Sequence, residues 1–445
     1  MNIMSQNIRT DAEQSLLDAF KTVQGKLPGC SKMQAMRSQA IAQFEQAGLP
    51  HRRVEDWKYT DLRTRMKTAY PVTAQSAQAV TSQQIQQALG PLAGLEANTM
   101  LFVNGHYQEA LSDMDALGEG IEVLSLTAAF DQTPDWFASE LGRVALFHDN
   151  DTITTLNTAF ASDGAAIRIS DKVEMDKLLH LIFVSAGEHD KLNTTRYLVS
   201  AGDDAKFTML ETHITVGDAK AQNNSVCELI VGANAKVAHI KCQLETEVNT
   251  HLSTWMVRLG ERSNYRAFQM STGAELARNQ IFVRFQGEHA FANISGVFLG
   301  QNQQHNDTTL IVDHAVPNCS SQEMFKVVLS DAARGVFQGK LEVKPIAQKT
   351  DAKQMAQALL LSEQAEFDAK PELEIFADDV VCGHGATSGQ IDEDLLFYLR
   401  ARGISEGEAK SLLIAAFIGE VLEAVEDAPI QEALSGIAQN WLREI

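Results

Sequence analysis

Leu198-Val199 before Gly202, Ile230-Val231 before Gly232, Val257-Arg258-Leu259 before Gly260 and Val283-Arg284-Phe285 before Gly287 are four versions of one unit. Each is a short apolar run that stops at a glycine-containing turn, and the glycines stand 30, 28 and 27 residues apart. A second alternating run follows the turn, as in Ala238, Ile240, Cys242 and Leu244. Alternation puts every second side chain on one face of a strand. Near-regular β units with few helical patterns between them predict a stacked solenoid, in which each rung buries its apolar side against the next. A flattened parallel β-helix fits the spacing best. An ordinary β-sandwich is the alternative that periodicity leaves open.

Helical patterns flank this series. Thr10 or Asp11 can cap a helix carrying Leu16, Leu17, Phe20 and Val23, and a second helix over about 32–47 meets a stop at Gly48 and Pro50. Residues 71–90, rich in Ala, Gln, Ser and Thr, read as a surface segment leading into a short helix. Met100-Leu101-Phe102-Val103 before Asn104-Gly105 reads as a strand into a turn. After about Ile391 the pattern is helical again. Leu395, Leu396 and Leu399 form one face, and Ser405-Glu406-Gly407-Glu408 opens a helix with Ala409, Leu412, Leu413, Ala416, Phe417 and Val421 on one side. Pro429 opens a third helix bearing Ile430, Leu434, Ile437 and Trp441. The expected organisation is a helical or mixed region over 1–155, a mainly β solenoid core over 156–390 and a helical region over 391–445.

Composition narrows the function classes. The chain of 445 residues is 44% hydrophobic, which supports a full globular core, and its net charge of -21 opposes binding to nucleic acid or an anionic membrane. Residues 391–445 hold 11 acidic and 4 basic residues, so an eighth of the chain carries a third of the net charge. These amphipathic helices read as a solvated face or as a docking surface for a partner. The first twenty residues lack the apolar stretch of a signal peptide, and no run approaches the ~18 apolar residues of a membrane span. Five widely spaced cysteines make no disulfide framework and no Cys-x-x-Cys pair. The expectation is a cytoplasmic protein with reduced thiols.

Most motifs for chemistry fail. Gly335-Val336-Phe337-Gln338-Gly339-Lys340-Leu341 has three residues between its glycines where a phosphate loop needs four, and Leu where Ser or Thr should bind magnesium. Gly118-Glu119-Gly120 lacks the third glycine of a dinucleotide fingerprint. No ATP or NAD site is read. Gly-x-Ser-x-Gly and His-Glu-x-x-His are absent from the sequence. Asp203-Asp204 and Asp378-Asp379 could serve a β-helix carbohydrate enzyme that uses calcium, but each pair reads as solvated turn residues. His305, Asp307, Asp313, His314 and Cys319 are dense in ligands, yet the bland reading is polar turn residues at the end of a rung.

Cys382-Gly383-His384-Gly385 is the most informative stretch. In a strand the Cys382 sulfur and the His384 imidazole share a face, and the bare glycines let a ligand or a neighbouring chain come close. Thiolate and imidazole suit zinc or iron–sulfur species. Two ligands do not close a tetrahedral site, so the others come from elsewhere in the fold or from another subunit. A buried cysteine beside a hydrogen-bonded histidine is the structural alternative. Cys30, Cys227, Cys242 and Cys319 read as ordinary residues.

The runs Ala333-Arg334-Gly335-Val336-Phe337-Gln338-Gly339-Lys340, Ala347-Gln348-Lys349-Thr350-Asp351-Ala352 and Leu359-Leu360-Leu361-Ser362 resemble the SufB/SufD family, scaffold subunits of the SUF iron–sulfur cluster assembly system. Ala377-Asp378-Asp379-Val380, Cys382-x-His384-Gly385-Ala386-Thr387 and Leu396-Phe397-Tyr398-Leu399-Arg400-Ala401-Arg402-Gly403 resemble its SufD branch, as do Gly48-Leu49-Pro50 and Glu55-x-Trp57-Lys58-Tyr59-Thr60. The SufB branch, which has a Glu-His-Glu-Ala pattern in place of Cys-x-His-Gly-Ala, is the alternative assignment. The resemblance implies a right-handed parallel β-helix between helical ends, pairing with SufB through the β-helices and docking of the SufC ATPase on the C-terminal helices. It implies a non-catalytic scaffold for a transient cluster shared with the partner, with His384 and Cys382 as candidate ligands. The expected SufC-docking residues are Leu395, Leu396, Leu399, Leu412, Leu413 and Phe417, and a second copy of the chain is an expected partner when it is isolated. No chemical role is assigned to Trp57, which is expected to pack against the helical entry.

Overall fold

The computed structural model describes residues 9–72, 80–114, 117–144, 151–218 and 220–444. From Asp163 to Gly389 the chain winds back and forth between two parallel sheets, placing successive strands in alternate sheets. One sheet has ten strands and the other nine, and they form a β-solenoid of about eight turns. This is the mainly β, parallel solenoid read from the glycine period; the sandwich alternative is excluded. Parallel register is unbroken: Tyr197, Cys227, Trp255, Ile281, Leu310 and Gly339 stand in one file across successive strands. The side chains of the first five meet those of the facing sheet, among them Phe183, Tyr265 and Phe298, in a single interior core.

The turn glycines work by close approach. A Cβ at Gly232 would stand 2.6 Å from the Gly202 carbonyl carbon, and one at Gly260 would stand 2.9 Å from that of Gly232. The backbones stack too tightly for a side chain. The left-handed conformation of each turn falls two residues later, on Asp204, Asn234, Arg262 and His289. Asp and Asn tolerate it best. Asp203 and Asp204 are exposed here, as are Asp378 and Asp379.

The helices divide between the outer faces of the two sheets. Helix Asp11–Val23 starts with a capping box between Thr10 and Glu13, and helix Ser31–Ala47 follows. Their apolar faces join Trp57, Phe160, Leu192, Leu252 and Leu276 on the outer face of the nine-stranded sheet. The strand expected at Met100–Val103 is Ala97–Val103. Within 71–90 the helix is Ser82–Leu89, and 73–79 lie outside the described residues. Helices Glu393–Ala401, Glu406–Leu422 and Ala428–Glu444 close the chain. The last two pack Ile414, Ile418, Val421, Leu434, Ile437 and Trp441 onto the outer face of the ten-stranded sheet.

One face was misread. Helix Glu406–Leu422 buries Ala409, Ile414, Ile418, Val421 and Leu422, while Leu412 and Ala416 are exposed. Residues 412–418 are apolar without a break, so periodicity cannot choose the buried side. The ligand-dense stretch was also misread as turn residues. His305–His314 is a strand buried along its whole length.

Candidate functional site at the open end of the solenoid

The last strand, Val381–Gly389, is an outermost strand of the ten-stranded sheet and pairs only with Asp351–Leu360. Opposite it, Glu366–Ile375 ends the nine-stranded sheet in the same way. Both strands are half-buried or exposed, whereas a strand deeper in the stack, His305–His314, is buried throughout. The solenoid is thus open at this end, with two unpaired strand edges. Val381 and Phe376, 63% and 59% exposed, lie at its rim.

Register assigns the faces of the last strand. Cys382 pairs with Ala352 and His384 with Gln354, both buried. Cys382 and His384 therefore belong to the interior face, about 7 Å apart along the strand. Cys382 is half-buried and packs against the interior core; His384 is exposed. Burial, helped by the charges of Asp351 and Glu323, pushes the Cys382 thiol up. A ligand that draws on both residues must approach from the open end. Gly383, between them, belongs to the opposite face, where a Cβ would meet nothing within 4 Å.

The ligand-dense residues of His305–Cys319 do not gather at one point. His305 and Asp307 meet at the Thr60 hydroxyl, 2.9 Å from His305 Nε2, and Asp307 also pairs with Arg278. His314 turns inward to Ser321 at 3.0 Å, and the Cys319 sulfur faces the Gly287 carbonyl at 3.3 Å. The phosphate-loop look-alike is strand Arg334–Val343, whose Gly339 gives room to the Gln354 amide.

A buried group escaped sequence reasoning. Glu211, Cys227 and His239 bring their ligand atoms within 4.8 Å of one another inside the solenoid. Burial pushes the Glu211 carboxyl up, but His239 and hydrogen bonds from His213 and His239 outweigh it and hold the group below its ordinary range. Burial and the Glu211 and Glu228 charges push the Cys227 thiol well up. The three residues come from three strands in two sheets, so no linear spacing signals them.

The expected docking residues do not make one surface. Leu395 and Leu412 are exposed, Leu399, Leu413 and Phe417 are half-buried, and Leu396 is buried. Leu395, Leu413 and Phe417 line a groove with Thr387 and Ile391, next to the last strand. Phe397 and Tyr398 are exposed on the same short helix and were not singled out.

Trp57 packs as expected, and against more than the helical entry. Its ring is buried beneath the Arg278 guanidinium, which also bonds the Asp56 carbonyl at 2.6 Å. Gln338 reaches the same carbonyl at 3.1 Å, and Lys370 pairs with Glu55. The motif clamps the N-terminal region to four neighbouring strands of the nine-stranded sheet.

Two family models match the chain in order. The SufBD protein N-terminal region matches residues 10–181, and the SUF system FeS cluster assembly, SufBD core domain matches residues 183–417. A Synechocystis iron–sulfur cluster assembly SufBD family protein is 31% identical over 87% of this chain and 86% of its own length. The iron–sulfur cluster assembly protein SufD of Escherichia coli is 30% identical over 92% of this chain and 93% of its own. SufD of Bacillus subtilis is 26% identical over 66% of this chain and 68% of its own. Models of both regions match in order and relatives align across most of their length: the chain belongs to the SufBD family of SUF-system iron–sulfur cluster assembly proteins.

Proposed function

We propose that this chain is a non-catalytic SufD-type subunit that helps build a nascent iron–sulfur cluster, its cargo, at an interface with SufB. The observation that carries this reading is the position of Cys382 and His384 on the interior face of the last strand, at the open end. One sulfur and one nitrogen are half of the four ligands such a site takes. The unpaired strand edges and apolar rim suit a second solenoid, which would bring the remaining ligands. In an isolated preparation a second copy of the chain is the expected occupant of that edge. SufC docks on the exposed residues of the C-terminal helices, beginning with Leu395 and Leu412. The chain works in the cytoplasm.

The test is co-expression with both partners and replacement of His384 by Ala. Cluster maturation under iron limitation is expected to fall at least tenfold. Maturation at the normal rate rejects the role given to His384.

A further inference from the structure

Two of the ionisable groups inside the solenoid contrast in their partners. In the Glu211, Cys227 and His239 group, Glu211 is bonded by Tyr197, His213 and His239, and His239 Nδ1 lies 3.1 Å from the Tyr265 hydroxyl. That carboxylate already has its partners, so no ion is called for.

Glu323 is the opposite case. It is 2% exposed, and neither carboxylate oxygen has a hydrogen-bond partner, although the Ser321 hydroxyl lies near enough to favour its ionised form. On the next strand Gln354 is also 2% exposed, and its side-chain oxygen is unpartnered too. Register sets Glu323, Gln354 and His384 in one file on successive strands, all on the interior face. Away from the open end the file continues through Ile294 and Ala267, which are apolar and buried. The Gln354 amide reaches across to the Gly339 carbonyl of the facing sheet, at 3.3 Å. Adjacent strands are about 4.8 Å apart, so the backbone at Glu323 lies roughly 10 Å from that at His384. Burial pushes the Glu323 carboxyl up to about 8, and its charge helps push the Cys382 thiol up.

Neither oxygen of the Glu323 carboxyl nor the Gln354 side-chain oxygen is matched by a partner in this dry interior, and burial favours the protonated acid there. A cation that displaces that proton gives these oxygens a partner. Oxygen ligands followed by imidazole and thiolate form a donor set that runs from hard to soft, suited to a divalent transition metal.

We propose that Glu323 and Gln354 form an inner, oxygen-lined metal site behind Cys382 and His384, which receives a divalent ion of the iron class through the open end of the solenoid. The identity of the ion rests on the scaffold reading above.

Anaerobic titration of the full-length chain with Co(II), followed by calorimetry and the visible spectrum, tests this. Wild-type chain is expected to bind, and Glu323→Gln to weaken binding at least tenfold while keeping its circular dichroism spectrum. Gln354→Met is expected to weaken binding as well, and it guards against a folding defect in the first variant. Wild-type affinity in both variants would mean that Glu323 is only a protonated core carboxyl, and would overturn the proposal. A wild-type chain that takes up no Co(II) would overturn it too. Neither result touches the scaffold reading, which stands or falls on cluster maturation in the His384→Ala complex.

Discussion

The Arg278 guanidinium lies 4.3 Å from the centroid of the Trp57 ring and at the same time pairs with Asp307, both acid and base almost wholly buried. This is the joint between the N-terminal region and the solenoid. A cation held between an aromatic face and a carboxylate is favoured only while both partners stay in place. Trp57→Ala removes a buried ring and one face of that enclosure, at an expected cost of about 3–5 kcal/mol. Limited proteolysis should then cut within residues 51–66 while the β signal of the solenoid persists. Resistance equal to wild type would show that the clamp is not what holds this segment.

Gly232→Ala tests the stacking of the turns. The new Cβ would meet the Gly202 backbone at 2.6 Å, and backbone cannot swing aside as a side chain can. Expected is a loss of several kcal/mol, seen as a lower midpoint in urea unfolding. An unchanged midpoint would mean that the rungs can spread to admit the methyl.

The buried histidines predict acid sensitivity. Burial holds His180 and His314 down to about 3, and burial followed by the charges of Arg65, Arg334 and Arg278 does the same to His305. Burial and Lys241 hold His251 to about 4. These groups are neutral in the folded chain and take up protons on unfolding below about 6.5. Their contribution to stability is present above that pH and is lost as pH falls towards 3. Thermal unfolding between pH 7 and 5 should show a falling midpoint with proton uptake; a flat profile would contradict the placement of these side chains.

Glu323 has the opposite sign. Its folded value of about 8 is raised above its ordinary 4.5, so the folded chain favours the protonated form. That contribution is present below about 4.5 and is lost as pH rises through 8. In metal-free buffer Glu323→Gln should therefore stabilise the chain at pH 7, by about 3 kcal/mol, with no gain at pH 4. A destabilised variant at pH 7 would mean that the carboxylate has partners after all.

The C-terminal helices call for surface substitutions and not deletion. Removing 391–445 would uncover Leu210, Ile240 and Phe268 on the ten-stranded sheet. Leu395→Asp with Leu412→Asp changes exposed positions and should leave the unfolding free energy within about 0.5 kcal/mol of wild type. Binding of the SufC partner, measured by co-purification, is expected to be lost; retention would place docking elsewhere.

The solenoid was legible in sequence because its information is local. An apolar run, a glycine turn and a period of 27 to 30 residues are all read along one dimension. Cys382-Gly383-His384 was legible for the same reason: a cysteine and a histidine two residues apart on a strand share a face whatever the rest of the chain does. The buried side of helix Glu406–Leu422 was not, since apolar residues surround it and only the sheet beneath selects Ile414 and Ile418. Neither the joint of Trp57 with Arg278 nor the meeting of Glu211, Cys227 and His239 has a spacing to read. Read along the chain, the residues specify a repeating β unit and a cysteine and a histidine on one strand face. The wound solenoid alone sets that pair at an open end, with Glu323 and Gln354 in file behind His384. Register joins residues about thirty positions apart, and only the wound chain fixes register.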